Sequence, residues 1–204
     1  IASALNYLFQ FFLAKYLSIE EYAGIQALFN FIYFFNVPLF VIQNCVAFFI
    51  TDYLQNDKQD LIPAFFKRVT LIFVGISVLF LLVFFTSAPL IAKFLNLSST
   101  TPLFILGFYL CSYLLIPINR GIIQGHLKFL PFSLSFILES IIRLLLGILL
   151  LQFALNGAML ASLASGIIIY LITLVYSLKI IKQYHTAEKP FASVRALGKY
   201  IIPM

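Results

Sequence analysis

The sequence predicts an all-α, polytopic membrane protein built as a six-helix transmembrane bundle. Three observations predict it. First, 63% of the residues are hydrophobic, against roughly half in a soluble domain. Second, Asp, Glu, Lys and Arg together make only 10% of the chain, too few to cover a soluble surface. Third, the apolar residues fall into runs that approach or exceed the roughly 20 residues a helix needs to cross a bilayer.

The first run covers Ile1 to Leu17. Its polar or small residues Ser3, Asn6, Gln10 and Ala14 recur at steps of three or four, so they share a helical face. The second, Tyr22 to Thr51, is longer than a span needs, so tilt or a kink is expected, with Pro38 as the kink. Gln26, Asn30, Tyr33, Asn36, Phe40 and Gln43 repeat along it in the same way. Two settings satisfy such amides in hydrocarbon: hydrogen bonds between helices, or the wall of a wet cavity.

The third run is Ala64 to Phe85 and the fourth Pro102 to Asn119. The fifth, Pro131 to Ala154, carries Ser135, Glu139, Arg143 and Gly147 at steps of four. An Arg at a helix centre costs roughly 2.5–3.5 kcal/mol on insertion scales. A Glu one turn before it returns only about 0.2–0.5 kcal/mol on an exposed helix. At about 1.5 Å per residue from Pro131, Arg143 reaches the bilayer midplane, too deep for easy snorkelling. This face is expected in a water-filled cavity, or else as an ion pair that sets helix register. The sixth run, Gly157 to Lys179, bears a small-residue stripe of Ala158, Ser162 and Gly166 beside Ala161 and Ser165, the pattern of close helix packing. A seventh run starts near Lys199. Residues 1–198 therefore read as one lobe and 199–204 as the start of another, and the chain is expected to be part of a longer protein.

The loops predict orientation. Lys58, Lys67, Arg68, Arg120, Lys128, Lys179, Lys182, Lys189, Arg195 and Lys199 fall on one side, against Lys15 and Lys93 on the other. Basic loops stay in the cytoplasm, so the amino terminus is expected there, in a multi-pass protein of the cell membrane. On this division Arg143 is the only basic residue deep in a span. Arg120, His126 and Lys128 belong to a cytoplasmic loop, and Gly121 and Gly125 form a GxxxG only at a span end.

The net charge of +6 is not gathered into a basic patch of any soluble domain, so nucleic acid is not an expected partner. Cys45 and Cys111 sit in apolar stretches and are expected as buried thiols outside any disulfide. His126 and His185 have no companion ligands, so neither a metal nor a cofactor is expected. No HExxH, GxSxG or phosphate-loop motif occurs. A membrane-embedded glycosyl or acyl transferase is an alternative reading, but the short outer loops hold too little His, Asp and Glu for catalysis.

AKYLSIEEYAGIQAL, PLFVIQNCVAFFITDY, RGIIQGHLKFLPFSLSFILESIIRLLLGILL and LGKYIIPM resemble successive segments of the polysaccharide-biosynthesis flippases. These are the O-antigen type of the multidrug/oligosaccharidyl-lipid/polysaccharide exporter superfamily. The resemblance spans the chain and corresponds to the first six-helix lobe. It implies two lobes around a central cavity, alternating access, and a lipid-linked oligosaccharide carrying a diphosphate as cargo, as in lipopolysaccharide assembly. It also implies a possible coupling ion, sodium or proton. The residues expected to meet cargo are Arg143, Glu139, Asn6, Gln10, Asn30, Asn36 and Gln43. A drug/cation antiporter of the same superfamily is the nearest alternative, with Glu139 as its cation-coupling acid.

Overall fold

The computed structural model describes residues 1–184 apart from Asn96 and Ser98. The expected seventh span, His185 and the basic residues Lys189, Arg195 and Lys199 lie outside the described residues. Six helices follow one another: α1 (Ala2–Tyr16), α2 (Ile19–Gln55), α3 (Ile62–Phe94), α4 (Thr101–Gly125), α5 (Phe129–Leu149) and α6 (Ala154–Ile181). Short 3-10 turns, Gln59–Leu61 and Leu151–Phe153, lead into α3 and α6. No strand occurs among the described residues. All but α1 are long and apolar enough to cross a membrane; α1 has 15 residues. The chain is a helical, multi-pass membrane protein.

The helix ends follow local chemistry. Ser18 and Glu21 form a capping box at the start of α2: the Ser18 hydroxyl accepts from the Glu21 N–H, and the Glu21 carboxylate accepts from the Ser18 N–H at 3.0 Å. α2 continues unbroken through Pro38. Proline also stands in the first turns of α3 and α4, where its missing N–H costs nothing. α2 and α4 both end in Schellman turns. Lys58 N–H donates to Tyr53 O, and Lys128 N–H to Ile123 O with Leu127 N–H to Gln124 O.

The left-handed residues in these turns are Asp57 (φ 53°) and Leu127 (φ 57°). Leucine is strained there, and a β-branched side chain more so. Leu127→Val is therefore expected to melt lower than Leu127→Gly by about 1 kcal/mol, read from thermal unfolding of the purified protein.

α4 is the hub, packed against α2, α3 and α6, while α1 packs mainly on α5 and barely touches α2. The turns α1–α2, α3–α4 and α5–α6 meet at one end, around a cavity of about 500 Å³ lined by Glu21, Leu97, Pro102 and Asn156. At the other end the Thr51 hydroxyl donates to Gly125 O, and His126 Nε2 lies 3.0 Å from the Tyr184 hydroxyl. Burial pushes the His126 imidazole below its ordinary pKa. As the neutral form it donates from Nδ1 to Ile122 O and accepts from Tyr184.

Two apolar clusters fill the bundle. One, near the α1–α2 turn, includes Phe9, Leu28, Phe84, Leu106 and Met159. The other, near the α2–α3 turn, includes Val46, Ile50, Phe65, Ile118 and Ile122.

The stripe of α6 packs as expected: Ser162 and Ser165 are fully buried, and Gly166 faces Tyr109 and Ser112 of α4. Two expectations change. Cys45 and Cys111 are free but only half-buried, and the Cys111 thiol donates to Ser77 O at 3.3 Å. Gly121 and Gly125 are helical and occupy the last turns of α4, because that helix runs six residues past the expected Asn119 boundary.

Candidate functional site

Between the two apolar clusters lies a polar layer, and α5 organises it. Its steps of four keep Ser135 and Glu139 buried on the face toward α4, with the Arg143 side chain 15% exposed. Glu139 is held from both sides. One carboxylate oxygen accepts from the Arg120 guanidinium at 2.7 Å and the other from Arg143 at 2.5 Å.

This convergence is a consequence of helix direction. Helical side chains lean toward their own amino terminus, and α4 and α5 are joined by a tight turn and run in opposite senses. Arg120 therefore leans away from the nearby end of its helix, toward the membrane centre, and Arg143 leans back along α5 to meet it. Arg120 is further fixed by donating from Nε to the Ser135 hydroxyl at 3.0 Å and from Nη2 to Ser135 O at 3.3 Å. Its guanidinium lies 3.8 Å from the Phe136 ring centroid, a cation–π contact.

Phenols and amides beside the arginines continue the layer. Arg143 donates to the Tyr109 hydroxyl at 3.3 Å, and the Tyr109 ring stacks on Tyr113. The Tyr113 hydroxyl donates to Asn36 Oδ1 at 2.5 Å. Ala2, Asn6, Gln10, Asn36, Arg120 and Arg143 help line a cavity of about 170 Å³ framed by α1, α2, α4 and α5. Asn36, Tyr113 and Arg120 also line an adjoining cavity of about 390 Å³ that reaches Gln43.

Two guanidinium charges against one carboxylate leave the triad with one excess positive charge. Among the described residues, Arg120, Glu139 and Arg143 are the only charged ones lining these cavities. Burying ions is favourable only when each is paired and hydrogen-bonded. Here one unit is left over, and Arg143 Nε and Asn6 Oδ1 have no hydrogen-bond partner among the described residues. The arrangement can accept an anion at the guanidinium edge that Glu139 leaves open.

The structure brings together Arg143, Glu139, Asn6, Gln10, Asn36 and Gln43. Gln10 also accepts from Gln26 at 2.6 Å, and Gln43 donates to Gln124 at 3.0 Å, so these two tie helices together while they line the cavities. Asn30 is a correction: it is exposed and lines neither cavity. At about 100° per residue, six residues put it about 120° around α2 from Asn36. Arg120 is the larger correction. It is not a loop anchor but a buried member of the site, 5% exposed, so Arg143 is not the only basic residue deep in a span. The apolar Ile122 and Ile123 that follow it were the available signal that the helix continues. Tyr109 and Tyr113 were missed because a phenol in an apolar run reads as core.

Among the described residues no three His, Cys, Asp or Glu side chains group as metal ligands. No family model, curated protein or solved structure matches the chain.

Proposed function

We propose that this bundle is one lobe of a flippase that carries a lipid-linked oligosaccharide across the cell membrane by alternating access, without chemistry on the cargo. The observation that supports it is the excess positive charge of the Arg120–Glu139–Arg143 triad beside a cavity. A polyprenyl diphosphate supplies the matching anion. A guanidinium fits phosphate because it donates two parallel hydrogen bonds in a rigid fork. Both oxygens of Glu139 already hold arginines, which favours anionic cargo over the antiporter reading, in which Glu139 would take a cation. The oligosaccharide, the O-antigen pathway and a sodium or proton coupling ion rest on the family resemblance alone.

The test is transport measured together with membrane abundance. Arg143→Gln leaves Arg120 and Glu139 as a balanced pair, so the protein should accumulate normally while transport falls about tenfold or more. Arg143→Lys keeps the charge without the fork and should retain partial transport. Normal transport by an abundant Arg143→Gln protein would remove Arg143 from the cargo site.

The proposed orientation places the amino terminus in the cytoplasm. Among the described residues, Lys58, Lys67, Arg68, Lys128, Lys179 and Lys182 lie toward one end and Lys15 and Lys93 toward the other. Single cysteines at Asp57 and His126 should be shielded from an impermeant thiol reagent applied to intact cells, and one at Ser99 should react. The reverse pattern would invert the topology.

A further inference from the structure

A groove of about 490 Å³ runs along the exposed, apolar side of α5 and α6, apart from the charged triad's own cavities. Leu134 and Leu138 form one wall, Leu171 and Val175 the other, and all four are exposed. Tyr176 and Lys179 line its mouth. Lys128 stands at the same mouth, with its ammonium 5.8 Å from the centroid of the Tyr176 ring.

The dimensions select an occupant. Leu138 is nine residues into α5 and Leu171 ten residues before the end of α6. At about 1.5 Å per residue both depths are close to 15 Å, half of a hydrocarbon core roughly 30 Å thick. The groove therefore spans one leaflet and stops at the midplane. The two hydroxyls between its walls are already engaged: Ser135 donates to Phe132 O and Thr173 to Ile169 O, which leaves the Tyr176 phenol at the mouth. An acyl chain loses nothing between these walls, whereas a polar chain would find both wall hydroxyls already donating. At the mouth the charge is of one sign. Lys128, Lys179 and Lys182 cluster at these helix ends, and among the described residues no carboxylate lines the groove. Basic pockets between helices at a membrane surface favour anionic head groups.

We propose that this groove seats one anionic phospholipid of the leaflet at the basic end of the bundle. An acyl chain lies between α5 and α6, and the phosphate-bearing head group rests on Lys128 and Lys179. The site is independent of the flippase reading, because it uses none of the residues of the triad and faces lipid.

Tryptophan fluorescence tests it, because the chain contains no native Trp. Tyr176→Trp places a reporter in the groove, and Val175→Trp is a second should the first not fold. Leu79→Trp, on the exposed face of α3, reports bulk lipid. Each protein is reconstituted in phosphatidylcholine containing a minor fraction of chain-brominated phosphatidylglycerol, or of chain-brominated phosphatidylcholine. The groove reporter should be quenched by phosphatidylglycerol as if it were locally enriched by about fivefold or more. The α3 reporter should follow bulk composition for both lipids. Adding Lys128→Gln and Lys179→Gln should abolish the groove enrichment. Quenching in proportion to bulk composition would overturn the site. Equal enrichment of both brominated lipids, or enrichment that survives loss of the lysines, would overturn its selectivity for anionic head groups.

Discussion

Glu139→Gln is expected to destabilise the bundle more than loss of either arginine. Among the described residues the carboxylate is the only negative charge lining the site, and it holds Arg120 and Arg143 simultaneously. Neutralising it leaves two guanidinium groups facing each other in a low-dielectric layer. Removing one partner of a buried ion pair costs about 3–5 kcal/mol, and here both arginines lose the same partner. Membrane abundance and thermal unfolding in detergent should both fall sharply. Adding Arg120→Gln to Glu139→Gln removes one of the stranded charges and should recover much of the loss. Arg143→Gln alone should be mild in stability, because the Arg120–Glu139 pair remains balanced. A Glu139→Gln protein as stable as the parent would show that water, not the carboxylate, neutralises the arginines. Arg120 sets this ranking by making Glu139 the shared partner of two arginines.

Gly125→Ala and Gly121→Ala are expected to separate α2 from α4. A Cβ at Gly125 would sit 2.6 Å from Ile50 Cβ and 2.7 Å from the carbonyl oxygen of Ala47. One at Gly121 would sit 2.7 Å from Val46 Cβ and 2.8 Å from the carbonyl oxygen of Gln43. The obstacles are backbone and branch-point atoms, which cannot rotate away as a flexible side-chain end would. Overpacking usually costs about 1–3 kcal/mol, and two rigid clashes one helical turn apart put the double change at the top of that range or beyond. Thr51 donates to Gly125 O and Gln43 to Gln124 across the same seam, so both hydrogen bonds should weaken together. Gly75→Ala is the control, since nothing lies within 4 Å of the added methyl. The check is the recovery of monodisperse protein from detergent for the three single variants and the double. Equal recovery of Gly125→Ala and Gly75→Ala would mean that the α2–α4 seam is looser than described.

The sequence alone determined the class of this protein and the helices it would form. Runs of apolar residues leave a membrane chain few alternatives, because every backbone N–H and C=O in hydrocarbon must be satisfied within a helix or a closed barrel. The periodicity of α5 also placed Glu139 and Arg143 on one face, since a spacing of four is a property of the helix itself. The small stripe of α6 was legible for the same reason. Tertiary structure decided which faces meet. Arg120 lies five residues before the end of α4, where charge counting naturally assigns it to a basic loop. Only the antiparallel packing of α4 on α5, with side chains leaning toward their own helix starts, carries its guanidinium inward to Glu139. Asn30 failed in the reverse sense, because steps of three and four drift around the axis and only the neighbouring helices define where the cavity begins. Composition and period act along one helix and are written locally. A net positive triad is a relation between two helices, and it comes into being only when they pack.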